Sequence, residues 1–230
     1  MNKKIIVIGI AGYARCGKDT FCKIAASILK ENGYEVKKLA FADELKKLAD
    51  PMCKTLFNIS AFTDDTEEKK VIRPGLVWIG CGMREHYDND IWINKVNATL
   101  MEEEHLASDE EKSKKRVYLI SDVRFPNEVD WVQNEWDGWS LHLSKFYKTV
   151  GLQGEIEQVF DKAPNEEERK NDPLVKEKCD FCLEWEDVRS SDPSILLEDI
   201  HKDNYLKNTV HLCLEKCPLI ELQNSCLTSK

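Results

Sequence analysis

Apolar positions along this chain switch repeatedly between a short β-like run and helical spacing, which predicts strands alternating with helices. Ile5-Ile6-Val7-Ile8 is a β-branched run suited to a buried parallel strand over residues 5–9. Phe21, Ile24, Ala25, Ile28 and Leu29 then recur at helical spacing, and Gly33 closes that helix as a C-cap. Residues 35–40 read as a second strand. The next helix starts at Phe41 with Asp43 and Glu44 in its first turn, where the helix dipole favours acid, and Leu45, Leu48, Ala49 and Met52 predict its buried stripe. Residues 58–70 are polar, with Thr63-Asp64-Asp65-Thr66 as a loop or helix cap. Residues 73–83 predict a helix interrupted at Gly80 and Gly82, and another helix covers about 90–105. The charged run 108–115 is a solvated connector.

Residues 116–121 form the clearest central strand after the first. A helix over about 127–134, a strand over 140–143 and a last strand over 179–183 follow. Between them, residues 145–172 are polar and mixed in charge and predict a mobile lid. One or two helices follow Pro193, with a frayed tail after Pro218. This alternation favours an α/β fold: a three-layer α/β/α arrangement around a mainly parallel five-stranded sheet. A chain of 230 residues suits one domain over 1–230 with small insertions, and no internal repeat is evident.

The junction between the first strand and the first helix carries the chemistry. It reads Gly12-Tyr13-Ala14-Arg15-Cys16-Gly17-Lys18-Asp19-Thr20. Glycines at both ends allow positive φ and close approach, so that consecutive N–H groups can point at phosphate oxygens. Lys18 adds a point charge, and the helix N-terminus adds its own positive end. After the lysine a Ser or Thr hydroxyl usually holds Mg²⁺; here Asp19 stands there, with Thr20 one place later. An anion beside phosphates needs a cation near it, so a metal, its waters or Arg15 must face Asp19. At the end of the strand over 116–121, Asp122 takes the place of a second acidic group near the metal, with a helix N-cap before Asn127 as the alternative. Arg124 can clamp a phosphate, or pair with Glu128 on the surface.

Composition narrows the partners. A formal net charge of −9 argues against polymeric nucleic acid or a membrane surface as a general partner, so small anionic substrates must meet local cations. No apolar stretch approaches a membrane span, and Met1-Asn2-Lys3-Lys4 leaves no room for a signal peptide, so a cytoplasmic chain is expected. Nine cysteines, an odd number, suit reduced thiols. Cys179 and Cys182, read as strand residues, would lie on opposite faces, which disfavours zinc.

Several blocks occur in order: 14–20, Phe41-Ala42-Asp43 with Leu45-Lys46, Trp78-Ile79-Gly80 with Arg84, Asp90-Ile91-Trp92, and Ser121-Asp122-Val123-Arg124-Phe125-Pro126-Asn127-Glu128. Together they resemble the deoxynucleoside monophosphate kinases of bacteriophages and large DNA viruses, over about residues 5–143 with a weaker echo to about 185. The resemblance implies a P-loop kinase fold and transfer of the ATP γ-phosphate to a deoxynucleoside monophosphate, in the host cytoplasm if the chain is viral. It implies that Arg15, Gly17, Lys18, Asp19 and Thr20 contact ATP and its Mg²⁺, with Asp19 and Asp122 on the metal side. Leu45, Lys46, Arg73, Gly80, Arg84 and Trp92 would line the monophosphate site within an acceptor segment over about 41–105. Lys18, Asp19, Asp122 and Arg124 would carry catalysis, bordered by Glu128. Trp78 reads as a core residue.

The chain departs from that pattern in places. Cys81-Gly82 replace a Thr and an acidic residue, only Glu168 remains of the lid's His-x-Ser/Thr-Glu element, and Trp185 stands where the family has Asn after Asp180. Lys145, Lys148 and Arg169 are the lid's cations, and lysine does not reproduce a guanidinium fork. Two alternatives stand beside the main reading: a phosphomevalonate kinase-like enzyme, and a nucleotide-binding protein without catalysis. The sequence is compatible with a monomer or a homodimer.

Overall fold

A computed structural model describes residues 5–108, 114–150, 155–160, 166–191 and 199–222. The chain forms two compact units, one from Leu39–Ala107 and one from the segments on either side of it, Met1–Lys38 and Ser108–Lys230.

The larger unit is built on strands β1 (Ile5–Ala11), β2 (Glu35–Leu39), β3 (Arg116–Val123), β4 (Trp139–Val150), β5 (Ile156–Phe160) and β6 (Phe181–Glu186). β1 lies between β3 and β4 and is parallel to both, with Ile8 opposite Leu119 on one side and Trp139 on the other. β2 flanks β3, and β6 runs parallel to β4 on the edge away from β1. Every residue from Ile6 to Ala11 is buried, as a strand covered on both faces requires. On one face α1 (Lys18–Glu31) packs against the helix Asn204–Glu215; on the other, α5 (Pro126–Asp130) packs against α6 (Glu166–Lys178). The result is the three-layer α/β/α arrangement expected, with helices between largely parallel strands.

The sheet has six strands among the described residues, not five, because β4 continues to Val150. β1 ends at Ala11, opposite His142, and β4 runs on with a bare edge. β5 takes that edge, pairing antiparallel from Phe146 opposite Phe160 to Val150 opposite Ile156. Much of the expected lid therefore lies in this hairpin and in the first turns of α6; residues 151–154 and 161–165 lie outside the described ones. The last strand starts at Phe181, so Cys179 precedes it and the two-face argument for Cys179 and Cys182 does not apply. The helix after β3 ends at Asp130 and continues as a wider π turn, Trp131–Glu135.

The smaller unit consists of α2 (Phe41–Phe57), α3 (Thr66–His86) and α4 (Ile91–Leu106). Asp65 caps α3 by accepting from the N–H groups of Glu67 and Glu68 at 2.9 Å. Gly80 and Gly82 do not break α3, which runs unbroken past both and past Pro74. The buried residues of α2 are Phe41, Ala49 and Cys53, while Leu48 and Met52 are exposed. The stripe is shifted by one residue because the small side chains of Ala49 and Cys53 pack with Ala61 and Ile72. Trp78 is 76% exposed and is no core residue. Among the described residues no helix is long and apolar enough to cross a membrane.

Candidate functional site

The loop from Gly12 to Gly17 sits where β1 leaves the sheet, and its backbone shows why glycine is needed at both ends. Gly12 has φ 129° and Gly17 φ 102°, and Arg15 between them is also left-handed at φ 70°. A Cβ on Gly12 would lie 2.3 Å from the Leu143 carbonyl oxygen, and one on Gly17 would lie 2.4 Å from the Trp185 ring. Trp185 is 2% exposed and donates its indole N–H to the Cys16 carbonyl at 2.9 Å. Its ring forms the floor of the loop. α1 then starts at Lys18 with Gly17 as its N-cap residue, so no side chain there takes up its first N–H groups.

Lys18 folds over this backbone. Its ammonium donates to the carbonyls of Gly12 and Tyr13, each at 2.6 Å, with Cys16 Sγ at 3.9 Å. Asp19 points out of the helix, its side chain 81% exposed, and meets Lys38 of β2 at 2.5 Å. Desolvation pushes its carboxyl up, but the Lys38 ammonium, with Lys18 and Lys23 behind it, outweighs this and holds it below the ordinary value. The cation demanded by Asp19 is thus Lys38, a residue that sequence reasoning missed. Cys22, one turn into α1, feels Asp19, Asp122, Lys18 and Lys38 together; burial pushes its thiol up to about 12.

At the end of β3, Asp122 is half-buried and Arg124 exposed. Phe125, not Asp122, is the N-cap residue of α5. Glu128 is 2% exposed and accepts from the N–H groups of Arg124 at 2.7 Å and Phe125 at 3.1 Å, so it shapes the turn that presents Arg124. The Arg124 guanidinium donates to Glu168 on α6 at 2.9 Å, in place of the surface pair with Glu128. The other oxygen of Glu168 accepts from the N–H of Ala14, inside the loop, also at 2.9 Å. One turn further along α6, Asp172 accepts from the Tyr13 hydroxyl and lies 3.0 Å from His142 Nε2, whose Nδ1 is 3.3 Å from Ser144 Oγ. Burial and then Asp172 push the Tyr13 hydroxyl above its ordinary value.

The helical unit gathers the expected acceptor residues in its own frame. Trp92 is buried and donates its indole N–H to the Gly80 carbonyl at 3.1 Å. A Cβ on Gly80 would lie 3.2 Å from Leu45 Cδ2, so glycine lets α3 sit close to α2. Arg73, Gly80 and Arg84 are spaced seven and four apart and share one face of α3. Lys46 pairs with Asp43 at 3.1 Å and lies 5.6 Å from the centre of the Phe62 ring. Leu45 and Trp92 thus each meet Gly80, Arg73 and Arg84 lie along α3, and Lys46 turns to Asp43.

No family model and no curated protein matches the chain. Among solved structures it is similar to shikimate kinase from Aquifex aeolicus, at 12% identity and a TM-score of 0.32, over 90% of this chain and 98% of that one. It is also similar to a protein from Chloroflexus aurantiacus described as an unproven kinase, at 13% identity and a TM-score of 0.38, over 92% and 97% of the two chains.

Proposed function

We propose that this chain is a phosphotransferase that holds ATP phosphates on the Gly12–Gly17 loop and passes the γ-phosphate to a deoxynucleoside monophosphate. The observation that carries the reading is the loop geometry: three left-handed residues, an uncapped helix start and Lys18, at the end of a buried parallel strand. Its affinity for an anion has an internal indicator, since the Glu168 carboxylate stands in for phosphate oxygens on the Ala14 N–H and on Arg124. These residues fit a nucleotide triphosphate. Asp19 and Asp122 would hold Mg²⁺, which supplies positive charge to the phosphate oxygens.

The chain's own part is positioning and charge. Lys18 and Arg15 supply cations to the donor, Gly17 and Thr20 supply backbone and hydroxyl donors, and Arg124 meets the phosphoryl group in transfer. The acceptor phosphate is already largely ionised near neutral pH, so no strong general base is needed. Leu45, Lys46, Arg73, Gly80, Arg84 and Trp92 are assigned to the acceptor, on the strength of the ordered sequence blocks and of the approach of Leu45 and of Trp92 to Gly80. Trp78, exposed on α3, offers a ring on which a base can stack.

The test is ADP production with ATP, Mg²⁺ and each deoxynucleoside monophosphate. Lys18→Ala is expected to lower transfer about a thousandfold with the far-ultraviolet circular dichroism unchanged. Turnover of phosphomevalonate without turnover of any deoxynucleoside monophosphate would sink the acceptor assignment. A reading without catalysis is favoured by one observation, the engagement of Arg124 by Glu168. ATP binding by the wild type with no transfer to any acceptor would establish it.

A further inference from the structure

Three groups that the loop region would offer to a terminal phosphate are engaged within the protein itself. The Ala14 N–H and the Arg124 guanidinium both donate to Glu168, and the Lys18 ammonium donates to the Gly12 and Tyr13 carbonyls. Glu168 is 8% exposed, so this is a desolvated carboxylate with charge-assisted bonds and not a loose surface pair. Its helix is held down a second time, one turn along, by Asp172 against His142 and the Tyr13 hydroxyl. Glu168, Asp172 and Val175 are the buried residues of α6, at i, i+4 and i+7, so the acidic pair forms the packed face of the helix.

We infer that α6 is an autoinhibitory latch whose Glu168 carboxylate competes directly with the terminal phosphate of a bound triphosphate. The inference rests on the phosphate-site reading of the loop, but not on any transfer reaction. A carboxylate and a phosphate oxygen cannot share the Ala14 N–H and the Arg124 fork, since two anions would then face each other in a buried place. Binding requires Glu168 to leave, and the apparent affinity falls by the fraction of molecules in which it has left. Asp172 sets that fraction by holding the helix, while Glu168 supplies the competing charge.

The experiment is calorimetric titration of inorganic tripolyphosphate, and separately of ATP, into the full chain. Glu168→Gln keeps the shape and removes the charge, and it is expected to bind tripolyphosphate about tenfold more tightly than wild type. Asp172→Asn loosens the helix and keeps the competing anion, so a smaller gain is expected. In wild type, saturating tripolyphosphate is expected to speed amide hydrogen exchange in residues 166–178, a readout that needs no variant. Equal or weaker binding by folded Glu168→Gln overturns the latch, because Glu168 then serves to aim Arg124. Unchanged or slowed exchange in 166–178 on saturation overturns it too. Tighter binding by Glu168→Gln with no transfer to any acceptor leaves the latch standing and removes the kinase reading. Transfer by wild type with no gain in Glu168→Gln does the reverse.

Discussion

The strand-built unit and the helical unit solve the same packing problem with different means, and the difference decides what each can hold in place. In the first, β1 is buried on both faces and the loop that follows it is pinned by Leu143, Trp185 and the start of α1. In the second, small side chains such as Ala49, Cys53 and Ala61 pack together with Ile72, and large ones such as Leu56, Phe57 and Trp78 stand exposed. In the proposed reading the donor phosphates are therefore held by a backbone that tolerates little change. The residues proposed for the acceptor are side chains spread over three helices, where a single substitution displaces less.

The largest test of this contrast is alkaline. Burial pushes the thiols of Cys22, Cys179 and Cys213 up to about 12 and that of Cys217 up to about 11, all in the strand-built unit. In the unfolded chain these groups ionise around their ordinary value of 9.0. Between there and 11–12 the unfolded chain has released protons that the folded one keeps, so stability falls as pH rises, by about 1.4 kcal/mol per pH unit for each thiol. Cooperative loss of circular dichroism is expected between pH 9 and 11, and Cys22→Ala with Cys213→Ala is expected to shift it upward. Full retention of structure at pH 11 would contradict the buried thiols.

Glycine substitutions come next in size. Gly17→Ala places a Cβ against the Trp185 ring at a left-handed φ, and is expected to cost about 3 kcal/mol in urea unfolding. Gly82→Ala, inside α3, meets nothing within 4 Å and is expected to stabilise by about 0.5–1 kcal/mol. The two changes are chemically identical and opposite in sign. Equal effects would erase the distinction between the units.

What the sequence revealed follows the same division. The strand, loop and helix around Lys18 were legible because backbone geometry demands particular residue types there, and the demand is met at Gly12 and Gly17. β5 was not legible: Ile156–Phe160 is mostly exposed and pairs along a single edge of β4, so no alternation marks it. Glu168 read only as the remnant of a lid element in a polar stretch, and its contact with Ala14 spans 154 residues. A signal for it existed in the spacing of Glu168, Asp172 and Val175, which is that of a buried helical face carrying two carboxylates. Lys38 could have been found from Asp19, whose exposed carboxylate needed a cation that Arg15 does not supply in the structure.

Trp78 gives the smallest expected change in stability and the sharpest question about the helical unit. A tryptophan at a helical position between apolar neighbours suggests burial, yet Trp78 is exposed and Trp92 is the ring that lies inside, tied to Gly80. Trp78→Ala is therefore expected to alter unfolding free energy by less than about 0.5 kcal/mol, as for an ordinary surface residue. A stacked base is worth about 1–3 kcal/mol, so the same variant is expected to raise the KM for a deoxynucleoside monophosphate roughly tenfold at unchanged KM for ATP. A large loss of stability would return Trp78 to the core. An unchanged acceptor KM would take it out of the proposed acceptor site.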